Sequence, residues 1–197
     1  MKKALLIISL ILTSLFSLDI KKAYYNSYNY EKMEDYKDAI KVLIPVYNKC
    51  PNDYTLNLRL GWLFYLNKKY QNALEHYKKA SITAPYSIEA KLGIMQTYLK
   101  AGDYDNTLKV GDVILKIDYY NYYGNYYEIK ALEAKKELGI ALKLTNKMLS
   151  LYPTSVLFLT ELGKIYYIKD KNRAEKIFKN VLTLDPNNIT AKKYLNR

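Results

Sequence analysis

A chain of 197 residues, half of them apolar and 14% aromatic, has enough side-chain volume for a sizeable buried core, which excludes disorder for its bulk. Its formal net charge of +12 suggests a polyanionic partner, yet only three of the 31 basic residues are arginine, the residue that forks onto bases and phosphates. The joint excess of lysine, asparagine, isoleucine and tyrosine is also what an A/T-rich coding sequence yields, so charge alone does not indicate nucleic acid.

The chain opens with Met1, Lys2 and Lys3, then ALLIISLILTSLF, thirteen residues without a charge. A basic start followed by an apolar run of this length is the layout of an export signal, expected over residues 1–17. A transmembrane helix needs about 20 apolar residues, so the run is short for a permanent anchor. Ser17 suits a cleavage site, whereas Leu15 stands where a small residue is preferred, so cleavage is the expectation and an uncut anchor the alternative. No cysteine follows the run to carry a lipid. Contact with a membrane is expected only through this segment, if it stays uncut. Cys50, the single cysteine, rules out an intramolecular disulfide and reads as a bystander thiol ahead of Pro51.

Prolines then supply a ruler. Pro51 and Pro85 lie 34 residues apart, Pro153 lies twice that distance further on, and Pro186 follows 33 later. Between them the same residue types recur, as in LRLGWLFYLNKKYQNALEHYKKASITAPYS, where Leu60, Gly61, Phe64, Tyr70, Ala73, Tyr77, Ala80 and Pro85 hold the spacing. Apolar residues fall at helical intervals, breaks fall at turns rich in proline, asparagine and aspartate, and no strand alternation of useful length appears.

This pattern resembles the tetratricopeptide repeat, and the match covers nearly the whole chain after residue 17. The resemblance implies an all-α fold, a right-handed superhelical solenoid of antiparallel helix pairs, with about five repeats near 20–53, 54–87, 88–121, 122–155 and 156–188. Residues 189–197, ITAKKYLNR, read as a capping helix. Departures are visible: Pro45 lies inside an expected helix and should kink it, Glu128 and Ile129 replace the usual Leu-Gly, and one residue is missing from the turn at Lys169 to Asn172. The layout is similar to exported bacterial repeat proteins, which makes the periplasm the expected location, with secretion or membrane anchoring as alternatives.

The stretch DYYNYYGNYYE, Asp118 to Glu128, places six tyrosines in nine residues at an expected inter-repeat turn, with Asn121 as the N-cap of the next helix. Tyr30, Tyr98, Tyr166, Tyr36, Tyr70 and Tyr104 fall at the family's packing positions and are expected in the core. In this family the first helix of each repeat lines a concave surface. By that resemblance the inward set includes Tyr24, Tyr28, Trp62, Tyr65, Gln96, Tyr123, Tyr126, Lys130, Lys164 and Tyr167, with Arg59 as the one well-placed guanidinium. Trp62 and Tyr65 lie opposite Leu60 and Phe64 in helical phase, so the two pairs cannot serve the same packing partner.

An aromatic groove rimmed by lysines suits an extended peptide or an amphipathic helix, which makes a non-enzymatic protein-binding scaffold of the cell envelope the expected function. Binding of a cell-wall glycan through the same aromatics is the alternative, although the groove offers few hydroxyl-binding groups beyond Gln96 and Glu89. Single-stranded nucleic acid would use the same stacking, but export argues against it. No HExxH, CxxC, GxSxG or phosphate loop occurs, and the lone His76 reads as structural, so no catalytic residue, cofactor or metal is expected.

Overall fold

The computed structural model describes residues 19–196, and the expected export signal lies outside them. Helix α1 covers residues 19–32, followed by α2 (Tyr36–Lys41), α3 (Ile44–Lys49), α4 (Tyr54–Leu66), α5 (Tyr70–Thr83) and α6 (Ile88–Ala101). Then come α7 (Tyr104–Ile117), α8 (Tyr122–Ala134), α9 (Leu138–Leu151), α10 (Val156–Lys169), α11 (Lys171–Leu184) and α12 (Ile189–Leu195). Among the described residues there is no strand, in accord with the all-α expectation, and no helix is long and apolar enough to cross a membrane. The chain divides within α6 into two compact units, one ending at Gly93 and the other beginning at Ile94.

In the first unit, Leu56, Leu60 and Leu63 recur at helical spacing on one face of α4 and are completely or almost completely buried with Ala39 and Leu43 of the preceding segment. Asp53 starts α4 by accepting a hydrogen bond from the Leu56 amide at 2.7 Å. Pro45 acts as expected. It has no amide hydrogen, so the helix stops at Lys41, and Pro45 is tolerated in the first turn of the new helix α3. Helices α4 and α5 approach closely because the Tyr77 ring lies flat on Gly61, where an added Cβ would stand 2.8 Å from it.

The second unit repeats this device, with the Phe178 ring on Gly163 and an added Cβ at 2.6 Å. Where Ile129 replaces the glycine, the position on the following helix holds the smaller Thr145 instead of an aromatic ring, and both residues are completely buried. Thr145 satisfies its hydroxyl by donating to the Ala141 carbonyl at 2.7 Å. The departure at residue 129 is therefore an exchange of volume between facing helices. Helix α12 covers the last apolar face: Ala191 is completely buried, and Tyr194 stacks on Phe178 at 4.9 Å and meets Tyr167 edge-on at 4.8 Å.

Two polar features recur with the 34-residue period. Glu34, Lys68, Gly102 and Lys136 occupy the left-handed region, with φ between 58° and 79°, and each reverses the chain between paired helices. Helices α10 and α11 lack this residue and share Asp170 alone as cap. Asn57, Lys91 and Asn125 each donate to the carbonyls six and four residues earlier: Pro51 and Asp53, Pro85 and Ser87, Tyr119 and Asn121. The Pro51, Pro85 and Tyr119 carbonyls lie in turns, where the buried side-chain donor supplies their bond, whereas the Asp53 and Asn121 carbonyls also accept the Asn57 and Asn125 amides at 3.1 and 3.0 Å. Tyr54 and Tyr122 add hydroxyl bonds of 2.6 Å to Ser87 and Ser155, respectively.

The six packing tyrosines are half-buried, not core. Phe64 is likewise half-buried and stacks on the His76 ring at 5.3 Å. His76 is buried, meets the Tyr47 ring at a steep angle with centroids 5.1 Å apart and is hydrogen-bonded to Asn57 at 2.9 Å, which accounts for it structurally.

The ring-on-glycine packing predicts opposite outcomes at two glycines. Gly163→Ala should destabilise the fold by about 1–3 kcal/mol through overpacking. Gly139→Ala, at a position where nothing lies within 4 Å, should leave stability unchanged or raise it by up to about 1 kcal/mol. Urea denaturation of both variants, read by circular dichroism, checks the signs.

Candidate functional site

Five of the expected site residues lie in the first unit and are drawn together by one acidic side chain. Glu31 of α1 pairs with Arg59 through one carboxylate oxygen, and its other oxygen accepts from the Trp62 indole nitrogen at 2.6 Å. Ser27 accepts a second guanidinium bond at 3.1 Å, and the Arg59 guanidinium lies over the Tyr28 ring at 3.8 Å. Trp62 and Tyr65 are stacked with centroids 5.6 Å apart and both are half-buried. Tyr24 packs against the same core; burial, assisted by the charges of Asp53 and Tyr28, pushes its hydroxyl up to about 12.

Arg59 departs from the sequence expectation. It is 7% exposed, its terminal nitrogens are used by Glu31 and Ser27, and its Nε has no hydrogen-bond partner among the described residues. The guanidinium is turned into the fold because an isolated buried cation is costly and Glu31 is the counter-charge within reach. The network also holds the Tyr28 and Trp62 rings.

In the second unit the site is built on charge. Lys164 donates to Glu133 at 2.5 Å and also to Glu161, while Lys130 lies 3.6 Å from the other Glu161 oxygen and 5.6 Å from the Tyr126 ring centroid. These residues line two open hollows of about 430 and 360 Å³. One runs from Lys100 and Tyr104 to Glu133 and Lys164, the other from Tyr126 to Lys193 and Tyr194. Two carboxyl groups thus compete for one central ammonium. Glu161, 4% exposed on its side chain, has a lysine at each oxygen. Glu133 has one oxygen buried without a hydrogen-bond partner among the described residues, and burial together with the Glu161 charge raises it to about 8. Burial alone would lower Lys164, but the two carboxylates outweigh it and hold the ammonium well above its ordinary value. Burial raises Tyr126 too, with Glu161 next in importance.

The remaining expected residues are not drawn into either cluster. Gln96 is half-buried on α6. Tyr123 is 51% exposed, with its ring against Tyr122 and Tyr127, and Tyr167 meets Tyr194. The stretch DYYNYYGNYYE thus divides its work. Asn121 caps α8 by accepting from the Gly124 amide at 2.9 Å, as its position suggested. Tyr122 packs on Phe158 at 4.9 Å, and Tyr119 and Tyr120 stay exposed under the Lys147 ammonium.

Sequence reasoning missed Glu31, Glu133, Glu161 and Lys193. A signal existed for two of them: Glu133 follows Lys130 by three residues and Glu161 precedes Lys164 by three, spacings that share a helix face. Among the described residues no three or more His, Cys, Asp or Glu side chains gather to hold a metal ion.

The Glu133 carboxyl makes stability pH-dependent. Its folded value of about 8 lies above the ordinary 4.5, so between these the folded state binds more protons than the unfolded chain. This contribution is full below about pH 4.5, falls as pH rises, and is gone above about pH 8. Wild type should lose more stability between pH 5 and 9 than Glu133→Gln, by about a few kcal/mol at most, and so show the larger fall in melting temperature. Parallel thermal melts of the two proteins across this range provide the check.

No protein-family model matches the sequence, and no curated protein sequence matches it. Solved structures do. MamA residues 41 to the end, from Desulfovibrio magneticus RS-1, superpose with a TM-score of 0.72 at 19% identity, over 87% of this chain and 97% of that one. TTC0263, a thermophilic TPR protein of Thermus thermophilus, gives 0.71 at 13% identity, covering 89% and 97%. YrrB, described as a TPR protein with an unusual peptide-binding site, gives 0.64 at 12% identity, covering 87% and 89%. At such low identities the likeness concerns architecture, and with the helix pairs and their recurring turns it establishes that this chain has the tetratricopeptide-repeat fold.

Proposed function

We propose that this chain is a non-enzymatic protein-interaction scaffold, exported to the cell envelope, which binds an extended peptide or an amphipathic helix on the aromatic and charged faces of its first helices. The observation that carries this reading is the Trp62–Tyr65 stack. Its indole nitrogen is committed to Glu31, so the rings are held in one orientation, yet both remain half-exposed. A preorganised aromatic pair loses little entropy on binding and is the usual kind of hot spot. The hollows around Tyr126, Lys130 and Lys164 add polar contacts that can select among partners. That one neighbour in fold, YrrB, is described by its peptide-binding site is consistent with this use. The proposal of export rests on Lys2, Lys3 and the thirteen-residue apolar run, and the periplasm is the location proposed for the partner.

Crosslinking and capture from the protein's own cells tests both parts. A protein captured by wild type should be lost or reduced about thirtyfold in affinity by Trp62→Ala or Tyr65→Ala, with melting temperatures little changed. Leu60→Ala, which empties a completely buried site, should cost about 2–5 kcal/mol of stability instead. Undiminished capture by the aromatic variants would overturn the assignment. Intact mass of the native protein should show a chain beginning after Ser17, whereas a membrane-bound species starting at Met1 would replace export with anchoring.

A further inference from the structure

We infer that the charged hollows of the second unit take an acidic segment of the protein partner, through internal Asp or Glu side chains, and that Glu133 links this binding to the uptake of a proton. The inference rests on the scaffold reading above and adds the chemistry of the ligand.

The first support is the charge balance. The two hollows share Lys130 and Lys164 and together present four lysines, Lys100, Lys130, Lys164 and Lys193, against two glutamates, Glu133 and Glu161. Glu161 is spent on Lys130 and Lys164, and no carboxylate of the described residues lies within ion-pair distance of Lys100 or Lys193. Cations collected in a concave, partly desolvated surface attract anionic side chains more strongly than dispersed ones do. Tyr126 and Tyr104 supply apolar surface beside them.

The second support is the geometry of Glu133. One of its oxygens accepts from Lys164 and the other is buried with no hydrogen-bond partner among the described residues, so its charged form is poorly solvated. Facing it are Tyr126 and Lys130 on its own helix, Glu161 and Lys164 on α10, Lys100 and Tyr104 across the larger hollow, and Tyr194 from α12. Toward α7 and α9 the nearby acidic groups Asp105 and Glu137 are taken up by Lys135. An incoming carboxylate competes with Glu133 for Lys164 and repels its negative form. Binding therefore favours the protonated carboxyl, and by linkage protonation favours binding. Since the free protein holds this proton with a value of about 8, the effect falls between pH 6.5 and 9.

The test uses the full chain and three synthetic helical peptides, acetylated and amidated so that no terminal carboxylate is present. They share one aliphatic and tyrosine face and carry Glu, Gln or Lys on the other. Calorimetric titration should show the Glu peptide binding on the order of tenfold more tightly than the Gln peptide, and the Lys peptide most weakly. Lys193→Ala, an exposed change, should erase much of the Glu preference without altering the melt. Glu-peptide affinity should fall several-fold from pH 6.5 to 9 in wild type and stay level in Glu133→Gln. Titrations at pH 8 in buffers of different ionisation enthalpy should report uptake of a fraction of a proton. Equal binding of all three peptides would overturn the acidic ligand while leaving the aromatic scaffold standing. Binding of none would also overturn it, with the scaffold then judged by native capture. An unchanged pH slope in Glu133→Gln would sink the proton linkage.

Discussion

The distance between paired helices is the constraint on which the rest of this structure depends. A ring laid on a residue without a Cβ lets two helix backbones approach closely, and Tyr77 on Gly61 and Phe178 on Gly163 set that approach in the two units. The completely buried alanines Ala73, Ala80, Ala141 and Ala174 extend it along the second helices, where any larger side chain would push the pair apart. Once helices are this close, a change on one side must be answered on the other. Ile129 opposite the smaller Thr145 is such an answer, and it preserves packing while removing both the glycine and the ring.

Close packing leaves the turns as the polar cost of the fold. The Pro51, Pro85 and Tyr119 carbonyls lie outside the helical ladders, and Asn57, Lys91 and Asn125 bring buried donors to them. That an ammonium and two amides do the same task shows that the requirement is for donors at a fixed place and not for a particular residue. The left-handed residues Glu34, Lys68 and Lys136 make a similar point: only Gly102 is the type that this backbone favours, and the other three accept strain of about 1 kcal/mol so that the chain can reverse in one step.

Much of this was legible in the sequence because it is local or periodic. The cap Asn121, the break at Pro45 and the all-helical class follow from the residues beside them or from the apolar period. The buried charges were not legible. Arg59 finds Glu31 28 residues away on another helix, and the groups at Lys164 join two helices separated by 31 residues, so neither can be seen without packing. The half-buried state of Phe64 and of the packing tyrosines was missed for a related reason: a pattern gives the face of a helix but not how far the neighbouring helix covers it. The expected inward set mixes residues that gather, such as Trp62 with Tyr65 and Lys130 with Tyr126, and residues such as Tyr123 that stay apart.

The two buried charge groups differ in a way that bears on use. At Arg59 one guanidinium meets one carboxylate and one hydroxyl, and the carboxylate also holds Trp62, so removing either charge would leave the other buried and release the indole. This arrangement holds the aromatic rings in place. At Lys164 one ammonium meets two carboxyls of which only one need be charged, with further lysines at the rim. That arrangement has two charge states separated by a proton that moves near neutral pH. A fold that needed only stability would gain nothing from the second arrangement over an apolar pair of similar volume, whereas a surface that must accept and release a charged ligand gains an adjustable counter-charge.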